Sequence, residues 1–191
     1  MKEVHIITPV KDSIELTLET IKSIQSSDIQ VPHTYTVYND FSTDENTSIL
    51  EKAAKDWGFQ LINLKDITDH PSPNYLLILQ DAQAKAIASE AGLLIVESDV
   101  IVKKHTLQEL FTGAMNAEKC GIAAAITVDE NETVNYPYLY AKDIQEKVFN
   151  SKKHVSFCCS LLTEDFLRSF DFHELDPSKS WHDVTISHQS L

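Results

Sequence analysis

The chain has 191 residues, enough for one domain with a sizeable core and too few for two ordinary ones. Its 29 acidic and 16 basic residues give a formal net charge of −13, which argues against nucleic acid as a partner but not against a nucleotide, since a bound divalent cation offsets the local sign. No run of 18 apolar residues is present, so no transmembrane segment is expected, and MKEVHIITPV reads as a strand and not as a signal peptide.

Taken in order, residues 4–10 read as a first strand, with Val4, Ile6, Ile7 and Val10 apolar and Pro9 interrupting. Asp12 with Glu15 gives an N-cap signal, and Ile14, Leu18, Ile21 and Ile24 lay an apolar stripe along the helix that follows. Residues 35–38 read as a second strand. Residues 39–44 form a polar turn, with Asp44 placed to cap a helix that carries Leu50, Ala53 and Trp57 on one side. A third strand at 59–64 leads into a loop at 65–74 containing Pro71 and Pro73, and residues 75–90 have a helical period.

Residues 93–96 are wholly apolar, as expected of a strand covered on both faces. Thr106-x-x-Glu109 reads as a capping box opening a helix through Met115. Strands are then expected at 121–128 and 157–162, with irregular chain between them. A short helix at 163–170 precedes a polar, loop-like tail at 171–191.

The alternation predicts one α/β domain over residues 1–191. Its central sheet should be mostly parallel and flanked by helices on both faces, with a smaller mixed β element in the C-terminal half. In such sheets ligands bind at the carboxyl ends of the strands. Thr8 and Pro9 follow the first strand, Asn39 and Asp40 the second, and Glu97, Ser98 and Asp99 the strand at 93–96.

Glu97 and Asp99, two apart, point the same way from an extended chain. They are either solvated acids or ligands of a hard divalent cation, Mg²⁺ or Mn²⁺. Asp40 is either the acid of an Asx turn or a ligand contact. Asp183 either caps the segment at 184–190 or acts as a base. The only glycines are Gly58, Gly92, Gly113 and Gly121, so GxGxxG, GxxxxGK[ST] and GxSxG are all absent, and phosphate binding would have to use another device. Three cysteines, Cys120, Cys158 and Cys159, form no disulfide pattern and fit a cytoplasmic setting. The eight histidines make no zinc motif; His188, one helical turn past Asp183, is the one to watch.

The order of these segments resembles the family 2 glycosyltransferases of the GT-A fold. VHIITPVKDSIELTLETIKSI is similar to their opening strand and helix, YNDFSTDENT to their DDGSTDxT segment, and LLIVESDVIVKKHTLQEL to the strand, DxD motif and following helix. FCCSLLTEDFLRSF resembles the later strand and short helix, and SWHDVTISH the acidic ED motif.

The resemblance implies an inverting, metal-assisted transfer of a sugar from a nucleotide-diphosphate sugar, UDP-linked by preference, to the hydroxyl of a saccharide or lipid-linked acceptor. Residues 1–100 would be the nucleotide-binding half and 101–191 the acceptor side. Thr8 and Pro9 would line the nucleotide pocket, Asp40 would contact the base, Glu97 would sit near the ribose, Asp99 would hold the cation, and Asp183 would be the general base. Peripheral membrane association stays open.

The sequence departs from the family pattern in several places. Asn39 stands for the first Asp and Phe41 for the Gly of the second motif, and Glu97 for the first Asp of DxD. Asp81 stands where an Arg is usual, with Lys85 one turn on, and His182 replaces the acidic neighbour of the base. Family members commonly continue beyond the point where this chain ends, at Leu191. These departures keep a non-catalytic GT-A-like domain that binds a nucleotide or a partner as the alternative. A sugar-phosphate nucleotidyltransferase would open with a glycine-rich, Arg-containing loop, where TPVKDS stands instead.

Overall fold

The structure, a computed structural model, describes residues 1–190. Strands β1 (Glu3–Val10), β2 (His33–Asn39), β3 (Gln60–Asn63), β4 (Ala91–Val96), β5 (Ile122–Ala124) and β6 (Cys159–Leu162) form one sheet in the order β3-β2-β1-β4-β6-β5. β1 pairs in parallel with β2 and β4, and β2 with β3; β6 runs antiparallel to both β4 and β5. The α/β expectation is met. The smaller mixed element is the β4-β6-β5 side, which continues the same sheet.

Six helices cover the two faces: α1 (Ile14–Gln25), α2 (Asp44–Trp57), α3 (Tyr75–Ala88), α4 (Thr106–Asn116), α5 (Glu164–Ser169) and α6 (His182–Gln189). Period-two alternation along the strands divides the core between them. In β4, Leu94 and Val96 pack with Ile21 of α1, Leu50 of α2 and Leu107 of α4, whereas Leu93 and Ile95 pack with Leu79 of α3, Leu167 of α5 and Ile186 of α6. Because both faces are covered, all six β4 residues are buried, which is why this strand is apolar throughout. Among the described residues, no helix is long and apolar enough to cross a membrane.

Several local expectations need correction. Asp12 does not cap α1. Asp12 and Ser13 adopt left-handed backbone, φ 53° and 49°, and Ser13 at the N-cap makes no side-chain cap bond. The Asp12 carboxylate instead accepts from the Thr43 amide (2.9 Å) and Asn46 Nδ2 (3.0 Å), tying the loop after β1 to the start of α2. Thr43, not Asp44, caps α2, accepting from the Asn46 amide. Thr106 lies inside α4, with His105 at the N-cap and no side-chain cap bond, and Glu109 pairs with Lys147 at 2.6 Å, so no capping box forms.

The tail is not a loop. A 3-10 turn (Phe172–Glu174) and α6 bury Phe172, Leu175 and Ile186 in the core shared with α3. Gln83 fastens this region, accepting from the Phe172 amide (2.9 Å) and donating to the Leu167 (2.9 Å) and Phe170 (2.6 Å) carbonyls.

Candidate functional site

Strand register builds the site. Val10 lies opposite Asn39 and Ile7 opposite Ile95, so β1, β2 and β4 end at one edge. The antiparallel pairing of Val96 with Cys159 brings the start of β6 to that edge, where the Glu97 amide donates to the Cys158 carbonyl at 3.0 Å. α3 leads back into β4, so its first turn sits at the same edge, and the start of α6 joins it through Asp183.

Asp40 is buried at the end of β2, and its amide donates to the Val10 carbonyl at 2.8 Å. Its Oδ2 accepts from Ser72 Oγ (2.7 Å) and the Asn74 amide (2.8 Å), and its Oδ1 from Asn74 Nδ2 (2.7 Å). The carboxylate thus holds the 65–74 loop and the N-cap of α3 against the sheet. Asn39 is also spent internally: it donates to Thr47 Oγ1 (2.9 Å) and Asn63 Oδ1 (2.8 Å) and accepts from the Ser42 amide (3.2 Å). Phe41 has φ 58°, the left-handed conformation that a glycine adopts freely and a side chain rarely. Thr8 is fully buried, its hydroxyl bonded to the Tyr35 hydroxyl at 3.0 Å, while Pro9 is partly exposed beside it.

Three carboxylates come together. Glu97 is half-buried, Asp99 exposed and Asp183 half-buried. Burial, then the charges of Asp99 and Asp183, push the Glu97 carboxyl above its ordinary value, against a small opposing effect of the Cys158 thiol, 3.8 Å from Oε2. Asp183 lies in the first turn of α6, with Trp181 at the N-cap, and its Oδ1 accepts from the neighbouring Val184 amide at 2.9 Å, so it is not the cap of that helix. Burial lowers the His182 pKa against the raising effect of Asp183 and Asp176, which favours a neutral imidazole. His188 is exposed.

Two participants carry no sequence signal. Tyr75, the first residue of α3, and Cys158 both meet the acid cluster, yet one reads as part of a helical apolar stretch and the other as part of a strand. Asp81 takes no part in this edge. It accepts from the Tyr38 hydroxyl (2.6 Å) and pairs with Lys85 (2.6 Å), whose ammonium lies over the Tyr38 ring. Lys85 stands ten residues after Tyr75, about 15 Å along the helix from the acid cluster.

Glu97, Asp99 and Asp183 are near enough to act on one another's charge, but among the described residues neither these nor any other three His, Cys, Asp or Glu side chains are grouped to hold a metal ion by themselves. Glu97 and Asp99 nonetheless fit a hard divalent cation, which commonly takes one or two carboxylates and completes its shell with phosphate oxygens and water. Burial contributes most to the raised Glu97 pKa, and a cation would relieve the further part that comes from the charges of Asp99 and Asp183. A cavity of about 490 Å³ lies at the opposite edge, near Met1, Cys120 and Phe166; there Glu164 is already paired with the N-terminus and Arg168.

No protein-family model and no curated protein matches the chain. Solved structures do. S. aureus TarS (residues 1–349) superposes with a TM-score of 0.65 at 16% identity, covering 98% of this chain and 55% of that one. The mannosyltransferase PcManGT from Pyrobaculum calidifontis, in complex with GDP-Man and Mn²⁺, gives 0.63 at 15%, covering 97% and 50%. Glucosyl-3-phosphoglycerate synthase from Mycobacterium tuberculosis, in complex with UDP, gives 0.54 at 15%, covering 86% and 57%. The chain spans about half the length of these proteins. It shares their fold, the GT-A arrangement.

Proposed function

We propose that this chain transfers a sugar from a nucleotide-diphosphate sugar to an acceptor hydroxyl with inversion. The observation that carries the reading is the meeting of Glu97, Asp99 and Asp183 at the carboxyl edge of the sheet, with burial and then the neighbouring carboxylates raising the Glu97 pKa. The fold shared with two transferases solved with nucleotide ligands supports it.

In this reading residues 1–100 hold the nucleotide and 101–191 face the acceptor. Pro9 and the backbone of Thr8 line the base pocket. Asp40 contacts the base through Oδ1, which accepts one hydrogen bond and has room for a second. Glu97 meets the ribose, and Asp99 holds Mn²⁺ or Mg²⁺. The cation, when bound, stabilises the charge that develops on the nucleoside diphosphate. Asp183 accepts the proton of the acceptor hydroxyl as its oxygen bonds to the anomeric carbon and the bond to the diphosphate breaks. A UDP-linked donor, a saccharide or lipid-linked acceptor and a cytoplasmic setting, with peripheral attachment to a membrane, belong to the same proposal.

One observation favours a second reading, a GT-A-like domain that binds nucleotide without turnover: Asp81 and Lys85 neutralise each other where the family carries an arginine. A thermal-shift series with UDP and GDP, with and without Mn²⁺, tests the first step. A nucleoside diphosphate at 100 times its Kd should stabilise the fold by about 2.7 kcal/mol. No shift with either nucleotide refutes both nucleotide readings. A metal-dependent shift without hydrolysis or transfer of the corresponding nucleotide-sugars selects the second.

A further inference from the structure

Tyr75 opens α3 beside Asn74, which Asp40 pins to the end of β2. Its hydroxyl oxygen is sealed from solvent and has no hydrogen-bond partner. Thr20 Oγ1 shares that condition, but it lies inside α1, away from the carboxylates. A hydroxyl in such a place is normally satisfied, so an unpaired one at a candidate site asks for a ligand.

The surroundings narrow the chemistry. Glu97, Asp183 and Cys158 stand close enough to Tyr75 to act on its ionisation, and together with burial they keep the phenol protonated, a permanent donor. None of the three bonds to it. Asp183 Oδ1 is engaged with the Val184 amide and Glu97 Oε2 with the Cys158 thiol. Among the described residues, Asp183 Oδ2 and Glu97 Oε1 accept nothing. One donor therefore lies near two carboxylates that each keep an oxygen free, and bonds neither. The complement is a group that accepts and donates at once, which is the property of an alcohol hydroxyl. Glu97 and Asp183 are both half-buried, and use of the phenol by a ligand requires one of them to turn.

We propose that Tyr75, Glu97 and Asp183 form a subsite for one hydroxyl of the transferred sugar, with the Tyr75 O–H donating to the sugar oxygen and a carboxylate accepting from it. The inference rests on the nucleotide-sugar reading, and it makes Tyr75 a residue that selects the sugar without contributing to nucleotide affinity.

The test is Tyr75→Phe, which removes only the hydroxyl. Calorimetry with Mn²⁺ compares UDP with UDP-glucose and UDP-N-acetylglucosamine, and GDP with GDP-mannose, on parent and variant. The variant should keep the parent's affinity for the nucleoside diphosphate and lose about 3- to 10-fold for the matching nucleotide-sugar, the size of one hydrogen bond. Its ligand-free melting temperature should not fall, because the hydroxyl has no partner to lose. An unchanged ratio of sugar-nucleotide to nucleotide affinity overturns the inference and leaves the nucleotide-sugar reading standing. So does a clear fall in melting temperature, which would mean that the hydroxyl is satisfied within the free protein. If the parent binds none of these nucleotides, both readings fall together.

Discussion

Asp40 receives two hydrogen bonds from Asn74, one from its amide at 2.8 Å and one from its side chain at 2.7 Å, so the end of β2 and the start of α3 are held as one piece. With Ser72 as the third donor, this buried carboxylate has a structural task whatever it does for a nucleotide. Asp40→Asn places an amide where the donors point and should destabilise the ligand-free protein by about 2–3 kcal/mol, as hydrogen bonds to charged groups are worth. Urea unfolding measures it. Parental stability in that variant would mean that the three bonds carry no net weight.

Glu97 behaves in the opposite way. Its carboxyl is raised above the ordinary 4.5 by burial, Asp99 and Asp183, so the fold holds its proton over a pH range in which the unfolded chain has released it. The contribution of this group to stability is therefore largest below pH 4.5 and is lost as the pH rises to the raised folded value. Glu97→Gln should be as stable as the parent, or more stable, at pH 7 without ligand, and should lose that part of the pH dependence. Melting curves between pH 4 and 8 decide it. A clear loss of stability at pH 7 would show that the charged form is well accommodated.

What was legible in the sequence follows from the range of the interaction. The strands and α1 to α4 announce themselves because their apolar residues recur at short, regular intervals, and Glu97 and Asp99 are found because they terminate an apolar run. The tail carries no such signal, because Phe172, Leu175 and Ile186 enter the core singly and α6 has no apolar stripe to mark it. Asp12 has the local pattern of a cap, but its side chain turns to partners more than thirty residues away. Asp40 with Asn74, and Asp81 with Tyr38, are likewise distant pairs that no local rule detects. Tyr75 is the clearest case. Its meaning comes from a hydroxyl left unpaired, which only the folded arrangement reveals.

Asp99 is exposed in the turn after β4, so Asp99→Ala should leave the fold intact, within about 0.5 kcal/mol of the parent. It should abolish the Mn²⁺-dependent part of nucleotide binding, because Asp99 is the residue that holds the cation in the proposed arrangement. Calorimetry with UDP and GDP, with and without Mn²⁺, separates the two parts. Parental metal-dependent binding by the variant would remove Asp99 from the site.

Asp183→Asn tests the base. A structural Asp183 would have capped α6, but Trp181 holds that position, and among the described residues the Asp183 side chain bonds only to the adjacent Val184 amide. Asparagine retains a carbonyl oxygen for that amide, and the variant loses only the favourable interaction of a charge with the helix N-terminus, about 0.3–1 kcal/mol. Stability should therefore change little. Nucleotide binding should survive, because Asp40 and Asp99 hold the donor in the proposed arrangement. Transfer, or hydrolysis of the donor with water as acceptor, should fall by about 10²–10⁴-fold, since the amide takes no proton from the attacking hydroxyl. The variant also relieves repulsion on Glu97, so the Glu97 carboxyl should titrate at a lower pH in Asp183→Asn than in the parent, a shift that carboxyl-resolved NMR reads without any substrate. A lowered Glu97 titration with undiminished turnover would keep Asp183 in the acid cluster and assign the proton transfer to another group.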